Sequence, residues 1–301
     1  MALKHKEKMV EQANPQAISG STRLIGLIGS PVRYSGSPAV HNASFEEQGL
    51  NYRYVAFDVT PVNLLDVVRG MKAMGFLGYN VTAPCKTFIV PYLDEISEVA
   101  ELSGAVNTVV IQNGRSLGDN ADGASFMRTL VLHGINIRGK KITVLGAGGT
   151  AASLITQAAL DGVAEIDIFN RIDEFYPQAK DLIDRLRERT DAKIALYNLA
   201  DAQALKRSLA ESVLVVNATS VGSPNEPGCL LTEDMMTPEL IVSDMVYVPR
   251  ETELIKLAKA HGNKVLNGVD VFLQQAAMGE RLWIGCEMPL DYIKEQFYPE
   301  D

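Results

Sequence analysis

The sequence predicts an α/β protein of two domains, and three observations support this fold class. The chain has 301 residues, of which 47% are hydrophobic and 22% are charged, as in globular proteins with packed cores. A chain of this length divides naturally into two domains of about 100 to 200 residues each. Short apolar runs alternate with segments of helical periodicity, a pattern typical of β-α-β units and largely parallel sheets.

A first domain is predicted at residues 22–127, after a mobile polar tail over residues 1–21. The tail carries lysines but no apolar stretch of signal-peptide length, and no run elsewhere is long enough to span a bilayer. Apolar runs predict strands, and apolar residues three and four apart predict helices between them. The strands are Leu24–Ile28, Tyr52–Val59 and Gly78–Val81, and the helices are Pro38–Gln48 and Val62–Met74.

The end of this domain is predicted to contain a hairpin and a helix. The β-rich segment Ala105–Ile111 runs into Asn113 and Gly114, a pair that favours a type I′ turn and therefore an antiparallel edge. A helix over about Asp122–His133 then leads to a glycine-containing turn where a new series of strands begins.

The second series of strands predicts a doubly wound domain at residues 128–271. Helical segments separate most of its strands, as a parallel sheet with crossover helices requires. The predicted strands are Lys141–Leu145, Glu165–Asn170, Lys193–Tyr197, Val213–Asn217, Ile241–Met245 and Lys264–Leu266.

The first strand of the second domain ends in a glycine-rich turn that predicts a dinucleotide site. An alanine-rich helix follows directly, so that the order is strand, glycine turn and helix. Gly146 permits the tight turn, Gly148 allows a pyrophosphate to approach the backbone, and the helix start supplies free N–H groups and a positive dipole end. The predicted binding residues are Gly146, Ala147, Gly148, Gly149, Thr150 and Ala151.

The next strand ends in Asn170, Arg171 and Asp173, where a ribose-binding residue is expected. Asp173 can accept hydrogen bonds from both ribose hydroxyls and repels a 2′-phosphate, whereas Arg171 can bind that phosphate. We predict NAD as the cofactor, with NADP also accepted. The alternative is that Asp173 and Glu174 only complement the dipole of the following helix.

Three loop clusters in the first half carry an unusual number of polar residues. They are Gly29–Pro38, Asn80–Lys86, and Gly104–Thr108 with Gly118–Gly123. Each can be explained by turn chemistry alone. Ser37, for example, is also what a helix N-cap before a proline at the first helical position requires.

Taken together, and in this order before a glycine-rich turn, the clusters resemble the shikimate dehydrogenase family, and most closely its quinate/shikimate dehydrogenase branch. The resemblance runs from Leu24 through Asn217–Gly222, Asp244–Tyr247 and Gln275–Ala277. It implies an α/β substrate domain, completed by C-terminal helices at residues 272–301, and a Rossmann-like dinucleotide domain. It also implies reversible hydride transfer between shikimate and 3-dehydroshikimate, in the chorismate pathway to aromatic amino acids.

The resemblance also assigns roles to individual residues. Lys86 and Asp122 form the catalytic pair, in which Lys86 carries the hydroxyl proton and Asp122 orients the hydroxyl and Lys86. We expect the two to meet in a cleft that faces the glycine turn. Substrate binding is assigned to Ser35, Ser37, Thr82, Lys86, Asn107, Asp122, Tyr247 and Gln275, and further cofactor contacts to Thr219, Ser220 and Gly268.

The chain departs from the family pattern at two loops. Family members usually have threonine before the catalytic aspartate, where this chain has Ala121, and a histidine and a larger apolar residue where it has Tyr34 and Gly36. The missing hydroxyl can shift substrate preference, and Gly36 can loosen the carboxylate-binding loop. Cys85 lies beside Lys86 and is interpreted as a packed small residue.

Composition bounds the partners, and two alternatives to shikimate dehydrogenase stay open. The net charge of −9 disfavours nucleic acid and anionic membranes, and the spacing of the histidines supports no metal. Three dispersed cysteines predict no disulfide framework and a cytoplasmic location.

The alternatives are a catabolic dehydrogenase preferring quinate over shikimate, with 3-dehydroquinate as product, and a dinucleotide-binding sensor without turnover. A homodimer is the assembly considered.

Overall fold

A computed structural model describes residues 18–173 and 175–299, with the side chain of residue 175 left out. Most of the predicted N-terminal tail, residues 1–17, lies outside the described residues. The chain forms two compact units. The first contains the described residues up to Glu95, Thr108–Leu117 and the residues from Gly279 onward, and the second contains Ile96–Asn107 and Gly118–Met278. The functional domain bounds predicted from the sequence, with their division after residue 127, stay a prediction.

The first sheet has six strands in the order β2-β1-β3-β5-β6-β4. Strand β1 is parallel to both of its neighbours, whereas β3 and β5 are antiparallel. The carboxyl ends of β1 and β3 therefore lie at the same edge. The strands are β1 Arg23–Gly29, β2 Tyr52–Asp58, β3 Gly78–Val81, β4 Glu95–Ile96, β5 Thr108–Gln112 and β6 Arg115–Asp119.

The predicted hairpin joins β5 and β6. Asn113 has φ 52° and Gly114 has φ 75°, and a type I′ turn requires a positive φ at both central residues. The hairpin prediction is therefore confirmed.

Three helices belong to the N-terminal part of the first unit. They are α1 Ser37–Glu47, α2 Leu64–Ala73 and the single-turn α3 Cys85–Phe88. The predicted helix over Val62–Met74 is divided, because Pro61 begins a short 3₁₀ turn over Pro61–Asn63 before α2 starts. A second 3₁₀ turn covers Val90–Tyr92.

The core of the first unit is aromatic and includes a buried histidine–carboxyl hydrogen bond. Trp283 packs with Phe45 and Tyr54, and its indole Nε1 donates to the carbonyl of Val109 at 3.0 Å. His41 and Glu280 are 1% and 0% exposed, and His41 Nδ1 lies 2.9 Å from Glu280 Oε1. Such a pair satisfies both buried groups.

The second sheet is doubly wound, as predicted. Its order is β12-β11-β10-β7-β8-β9, and its neighbouring strands are parallel. The order reverses between β7 and β10, which creates the crevice where ligands bind in such sheets. The strands are β7 Lys141–Leu145, β8 Glu165–Asn170, β9 Lys193–Asn198, β10 Leu214–Asn217, β11 Ile241–Asp244 and β12 Val265–Leu266.

Helices cover this sheet and form its core with small residues. Ala151 and Ala158 on the helix after β7 pack into one apolar cluster with Ile142 and Val144. The remaining helices are α4 Glu98–Ser103, α5 Ala121–Leu132, α6 Gly149–Leu160, α7 Phe175–Arg187, α8 Ala202–Glu211, α9 Glu253–Ala260, α10 Gly268–Ile284 and α11 Leu290–Phe297, with a 3₁₀ turn at Glu233–Met235. Of the helices that the structure describes, none is long and apolar enough to cross a membrane.

Candidate active site

Two predicted carboxylate-binding serines lie in the loop between β1 and α1. Ser35 Oγ donates to Ser37 Oγ at 3.2 Å, and it also accepts from the backbone N–H of Ser37 at 3.2 Å. The cap position of α1 is occupied by Gly36, and no side-chain capping bond is made there. The explanation of Ser37 as a helix cap is therefore wrong, because its hydroxyl does not bond to the N–H groups of α1.

The loops that follow β1 and β3 touch each other at the edge where both strands end. A Cβ at Gly29, whose φ is +153°, would lie 2.4 Å from Cγ2 of Thr82. The backbone N–H of Ser30 donates to the carbonyl of Ala83 at 3.0 Å. Half-buried Lys86 follows in α3. Parallel neighbours thus bring the predicted residues of both loops to one edge of the first sheet.

A row of buried polar side chains runs beneath this edge, and the sequence did not indicate how its members pair. Tyr54 donates its hydroxyl to Asn80 Oδ1 at 2.7 Å, and Asn80 Nδ2 donates to Thr108 Oγ1 at 3.2 Å. All three side chains are at least 95% buried. The row fixes the end of β3, from which Thr82 and Lys86 follow.

In the second unit, the predicted catalytic carboxylate of Asp122 lies in the first turn of α5. Asn107 Nδ2 donates to Asp122 Oδ1 at 2.5 Å, and Thr150 Oγ1 donates to Asp122 Oδ2 at 3.2 Å. Asn120 caps the helix, since its Oδ1 accepts from the Asp122 backbone N–H at 3.3 Å. Both oxygens of Asp122 are therefore oriented by side chains from separate segments.

The start of α5 is pressed against α6. A Cβ at Gly123 would lie 2.3 Å from the carbonyl oxygen of Ser153, and the Gly123 backbone N–H donates to Ser153 Oγ at 2.9 Å. Only glycine permits this close approach of two helices. The contact places Asp122 beside the beginning of α6.

That beginning of α6 is the predicted dinucleotide turn, and its geometry fits a pyrophosphate. Gly146 has φ +105° and its Cβ would lie 2.9 Å from Thr219 Cγ2, so the turn lies next to the end of β10. A Cβ at Gly148 would meet no described protein atom within 4 Å. The first turn of α6 contains no acidic residue, and its free N–H groups suit an anion.

The predicted ribose-binding residues follow β8. Asn170 Nδ2 donates to Asp173 Oδ1 at 2.9 Å, which fixes the orientation of that carboxylate. Arg171 Nε lies 3.8 Å from Asp173 Oδ2, and Arg171 Nη1 lies 3.2 Å from Glu226 Oε1. Ser220 also donates to Glu226. Glu226 is a residue that the sequence did not indicate, because it is 55 positions away from Arg171.

The segment after β10 is held by a buried carboxylate on the neighbouring strand. Asp244 accepts from Asn217 Nδ2 at 2.9 Å and from Thr252 Oγ1 at 2.6 Å. Burial raises the pKa of Asp244, although these hydrogen bonds and one from the Val246 N–H oppose the rise. Asn217 Oδ1 in turn accepts from the hydroxyl of Thr219 at 2.6 Å. The network orients one of the predicted cofactor residues.

Three further predicted residues lie on or beside α10. Tyr247 stacks on Phe272 with ring centroids 4.7 Å apart and an angle of 11° between the planes. A Cβ at Gly268 would lie 2.7 Å from the carbonyl oxygen of Val246, so glycine is required where α10 starts against the β11 loop. Gln275 is half-buried on the same helix.

Cys85, which lies beside Lys86 in the sequence, is a packed structural residue. Cys85 is 0% exposed, its Sγ donates to the carbonyl of Val59 at 3.3 Å, and burial raises the pKa of its thiol, which makes it unreactive. The interpretation of Cys85 as a packed residue is confirmed. Within residues 18–173 and 175–299, no group of three or more His, Cys, Asp and Glu side chains is placed to hold a metal ion.

The structure thus gathers the predicted residues into two sets, one in each unit. The first unit holds Ser35, Ser37, Thr82 and Lys86, and the second holds Asn107, Asp122, Tyr247, Gln275 and the cofactor residues. The meeting of Lys86 with Asp122 stays a prediction. Asn80, Glu226 and Asp244 are additional polar residues of these sets. Asn80 begins one of the polar loop clusters and Asp244 lies in a predicted strand, whereas nothing in the sequence pointed to Glu226.

Comparison with known proteins gives consistent matches over nearly the whole chain. Residues 27–109 match the family described as "Shikimate dehydrogenase substrate binding domain". A shikimate dehydrogenase (NADP(+)) of Listeria monocytogenes is 48% identical over 282 residues, which are 93% of this chain and 97% of the relative. A shikimate dehydrogenase (NADP(+)) of Streptococcus uberis is 43% identical over 94% of this chain and 98% of the relative.

Solved structures give the same result. The structure of a Listeria monocytogenes shikimate 5-dehydrogenase in complex with shikimate and NAD is similar with a TM-score of 0.88 and 48% identity, covering 93% of this chain and 98% of the other. A quinate dehydrogenase from Corynebacterium glutamicum in complex with NAD has a TM-score of 0.82 and 31% identity, covering 92% and 98%. The predicted fold class is confirmed by these similarities.

Proposed function

Because the chain belongs to the shikimate dehydrogenase family, we propose that it catalyses the reversible oxidation of shikimate to 3-dehydroshikimate with NAD or NADP. The reaction is the oxidation of a secondary alcohol to a ketone. The 48% identical solved relative, determined with shikimate and NAD, supports both the substrate and the type of cofactor.

One observation carries this proposal beyond similarity. The carboxylate of Asp122 is hydrogen-bonded to the hydroxyl of Thr150, which belongs to the first turn of α6. The predicted catalytic carboxylate is therefore held directly beside a turn suited to a pyrophosphate. A dehydrogenase needs these two features close together, whereas a protein that only binds dinucleotides does not.

The chemistry divides between the cofactor and the side chains. A nicotinamide dinucleotide bound at the glycine turn would supply the acceptor for the hydride of the carbinol carbon. Lys86 takes the hydroxyl proton during oxidation and returns it when the ketone is reduced. Asp122 accepts a hydrogen bond from the reacting hydroxyl and orients Lys86. Proton transfer by a positioned group typically contributes about 10² to 10⁴ in rate.

The remaining predicted residues bind the substrate. The hydroxyls of Ser35 and Ser37, whose oxygens lie 3.2 Å apart, bind the substrate carboxylate; Ser35 exchanges its bond to Ser37 for one to the carboxylate. Asn107, whose amide donates to Asp122 Oδ1, is assigned to a ring hydroxyl of the substrate. Thr82, Tyr247 and Gln275 complete the set assigned to the ring.

A two-by-two assay tests the function. The purified protein is mixed with NAD or NADP and with shikimate or quinate, and the absorbance of reduced nicotinamide is followed, with the Lys86→Ala variant as the control. Shikimate-dependent reduction that is lost in the variant supports the proposal. Turnover of quinate alone would identify a quinate dehydrogenase, and no turnover with any pair would leave a dinucleotide-binding sensor.

Location and assembly are part of the same proposal. Cys85, Cys229 and Cys286 are free thiols, which suits the reducing cytoplasm. The homodimer considered from the sequence stays a prediction, and light scattering on the eluate of a sizing column tests it. A monomer mass across the working concentration range would contradict it.

A further inference from the structure

We propose that Glu226 is a cofactor-specificity residue that selects NAD over NADP by occupying Arg171. This inference rests on the proposed function and extends it to the choice of cofactor. It concerns the adenosine ribose end of the dinucleotide site, where the segments after β8 and β10 meet.

A tight turn after β10 brings Glu226 to this position. The backbone N–H of Glu226 donates to the carbonyl of Ser223 at 3.1 Å, and the N–H of Gly222 donates to the carbonyl of Glu226 at 2.8 Å. Ser223 and Glu226 also form an isolated β-bridge. These backbone bonds return the chain toward Ser220 and fix where the Glu226 side chain starts.

Each oxygen of the Glu226 carboxylate contacts a predicted cofactor-binding residue. Its Oε1 lies 3.2 Å from Arg171 Nη1, and its Oε2 accepts from the Ser220 hydroxyl. Asp173 lies on the other side of the same guanidinium, 3.8 Å from Arg171 Nε. The one arginine of the predicted ribose set is therefore flanked by two carboxylates.

This arrangement opposes a 2′-phosphate in two ways. An arginine near the end of the second strand of such a fold is the group that accommodates the phosphate of NADP. To do so here, Arg171 would have to give up its bond to Glu226. The phosphate would also bring about −1.5 to −2 charges next to Glu226 and Asp173. NAD presents only hydroxyl groups at this place, and Asp173 can accept hydrogen bonds from them.

A purely structural role for Glu226, in which it only holds its own loop, predicts a different outcome. Such a role would affect both cofactors equally, because NAD and NADP differ only at the 2′ position. The ratio of the two specificity constants separates the two roles, and the isosteric Glu226→Gln substitution preserves hydrogen-bonding capacity while removing the charge.

The experiment measures kcat/KM for NAD and NADP at saturating shikimate in the wild type and in Glu226→Gln. We expect the NADP-to-NAD ratio to rise about 3- to 30-fold, the range of one partly exposed charge interaction. The matched control is Glu98→Gln, which also removes a carboxylate from an arginine pair, here Arg189 at 3.3 Å. Arg189 lies beyond the far end of α7, about 20 Å from its start, so this ratio should stay at the wild-type value.

A second experiment repeats the Glu226→Gln change in a protein that lacks the Arg171 guanidinium, and it tests whether Glu226 acts through Arg171. In Arg171→Gln, the additional change Glu226→Gln should raise the ratio less than it does in the wild type, because no guanidinium remains to be released. An unchanged ratio in Glu226→Gln, or the same rise with and without Arg171, would overturn the inference. Calorimetric titration gives the dissociation constants of NAD and NADP, whose ratio should shift in the same direction as the ratio of kcat/KM values. If shikimate is not turned over by any variant, the proposed function fails while the titration still decides the role of Glu226.

Discussion

Replacing Thr150 by valine is the sharpest test of how the candidate catalytic carboxylate is positioned. The change removes the hydroxyl that donates to Asp122 Oδ2 at 3.2 Å and leaves the backbone of the glycine turn intact. Hydrogen bonds to charged groups contribute about 1.5 to 3 kcal/mol. The long distance and partial burial of this bond place it below that range, at about 1 to 1.5 kcal/mol, which corresponds to about 5- to 12-fold in kcat.

The measurement is steady-state kinetics with both substrates varied. We expect kcat to fall in Thr150→Val while the KM of the dinucleotide stays close to the wild-type value, and we expect Thr150→Ser to restore kcat. Thr156→Val is the matched control in the same helix, since Thr156 Oγ1 is buried and finds no hydrogen-bond partner among the described residues. Its kcat should remain near that of the wild type.

The opposite pattern would refute this reasoning. A raised KM for the dinucleotide with an unchanged kcat would mean that the Thr150 hydroxyl serves the cofactor and not Asp122. A loss of kcat in Thr150→Ser equal to that in Thr150→Val would mean that packing, and not the hydroxyl, is responsible.

Three further predictions follow from other parts of the chain. Lys86→Ala should lower turnover by about 10² to 10⁴ with little change in dinucleotide affinity, measured by single-turnover kinetics and titration; turnover near the wild-type value would refute its role. Asp173→Ala should raise the NADP-to-NAD ratio of kcat/KM, because a carboxylate near the 2′ position is removed, and an unchanged ratio would count against its ribose contact. Hydrogen bonds from Lys72 and Ser116 hold the pKa of Asp94 well below its usual range, so its stabilising effect is complete above the unfolded pKa of about 3.9 and is lost as the pH falls below it. Asp94→Asn should therefore unfold at lower urea than the wild type at pH 7, and the difference should shrink at pH 3; an equal difference at both pH values would contradict the sign.

Local patterns in the sequence predicted most strands of both sheets to within a few residues, although they missed the two-residue strand β4. The strand at Lys141–Leu145, the glycine turn and the helix after it follow from apolar runs and from conformations that glycine favours. The type I′ hairpin follows from Asn113 and Gly114 in the same way. These features depend on the conformational preferences of residues that are close together in the sequence.

The contacts that orient the candidate site join positions far apart in the chain, and the sequence did not indicate them. Arg171 meets Glu226, Asn217 meets Asp244, and Asp122 meets Thr150 across separations of 55, 27 and 28 residues. Resemblance to the family supplied candidate residues, but it did not supply these partners.

The sequence by itself determined the alternation of strands and helices, the glycine turn and the type of residue at each loop. Only the tertiary structure decided which loops lie side by side, because the strand order of the second sheet reverses between β7 and β10 and brings segments from distant positions to one edge. The periodicity of apolar residues indicates which face of a helix or strand is buried. A hydrogen bond between distant residues depends on the distance between their side chains, and the crossover connections between strands set that distance.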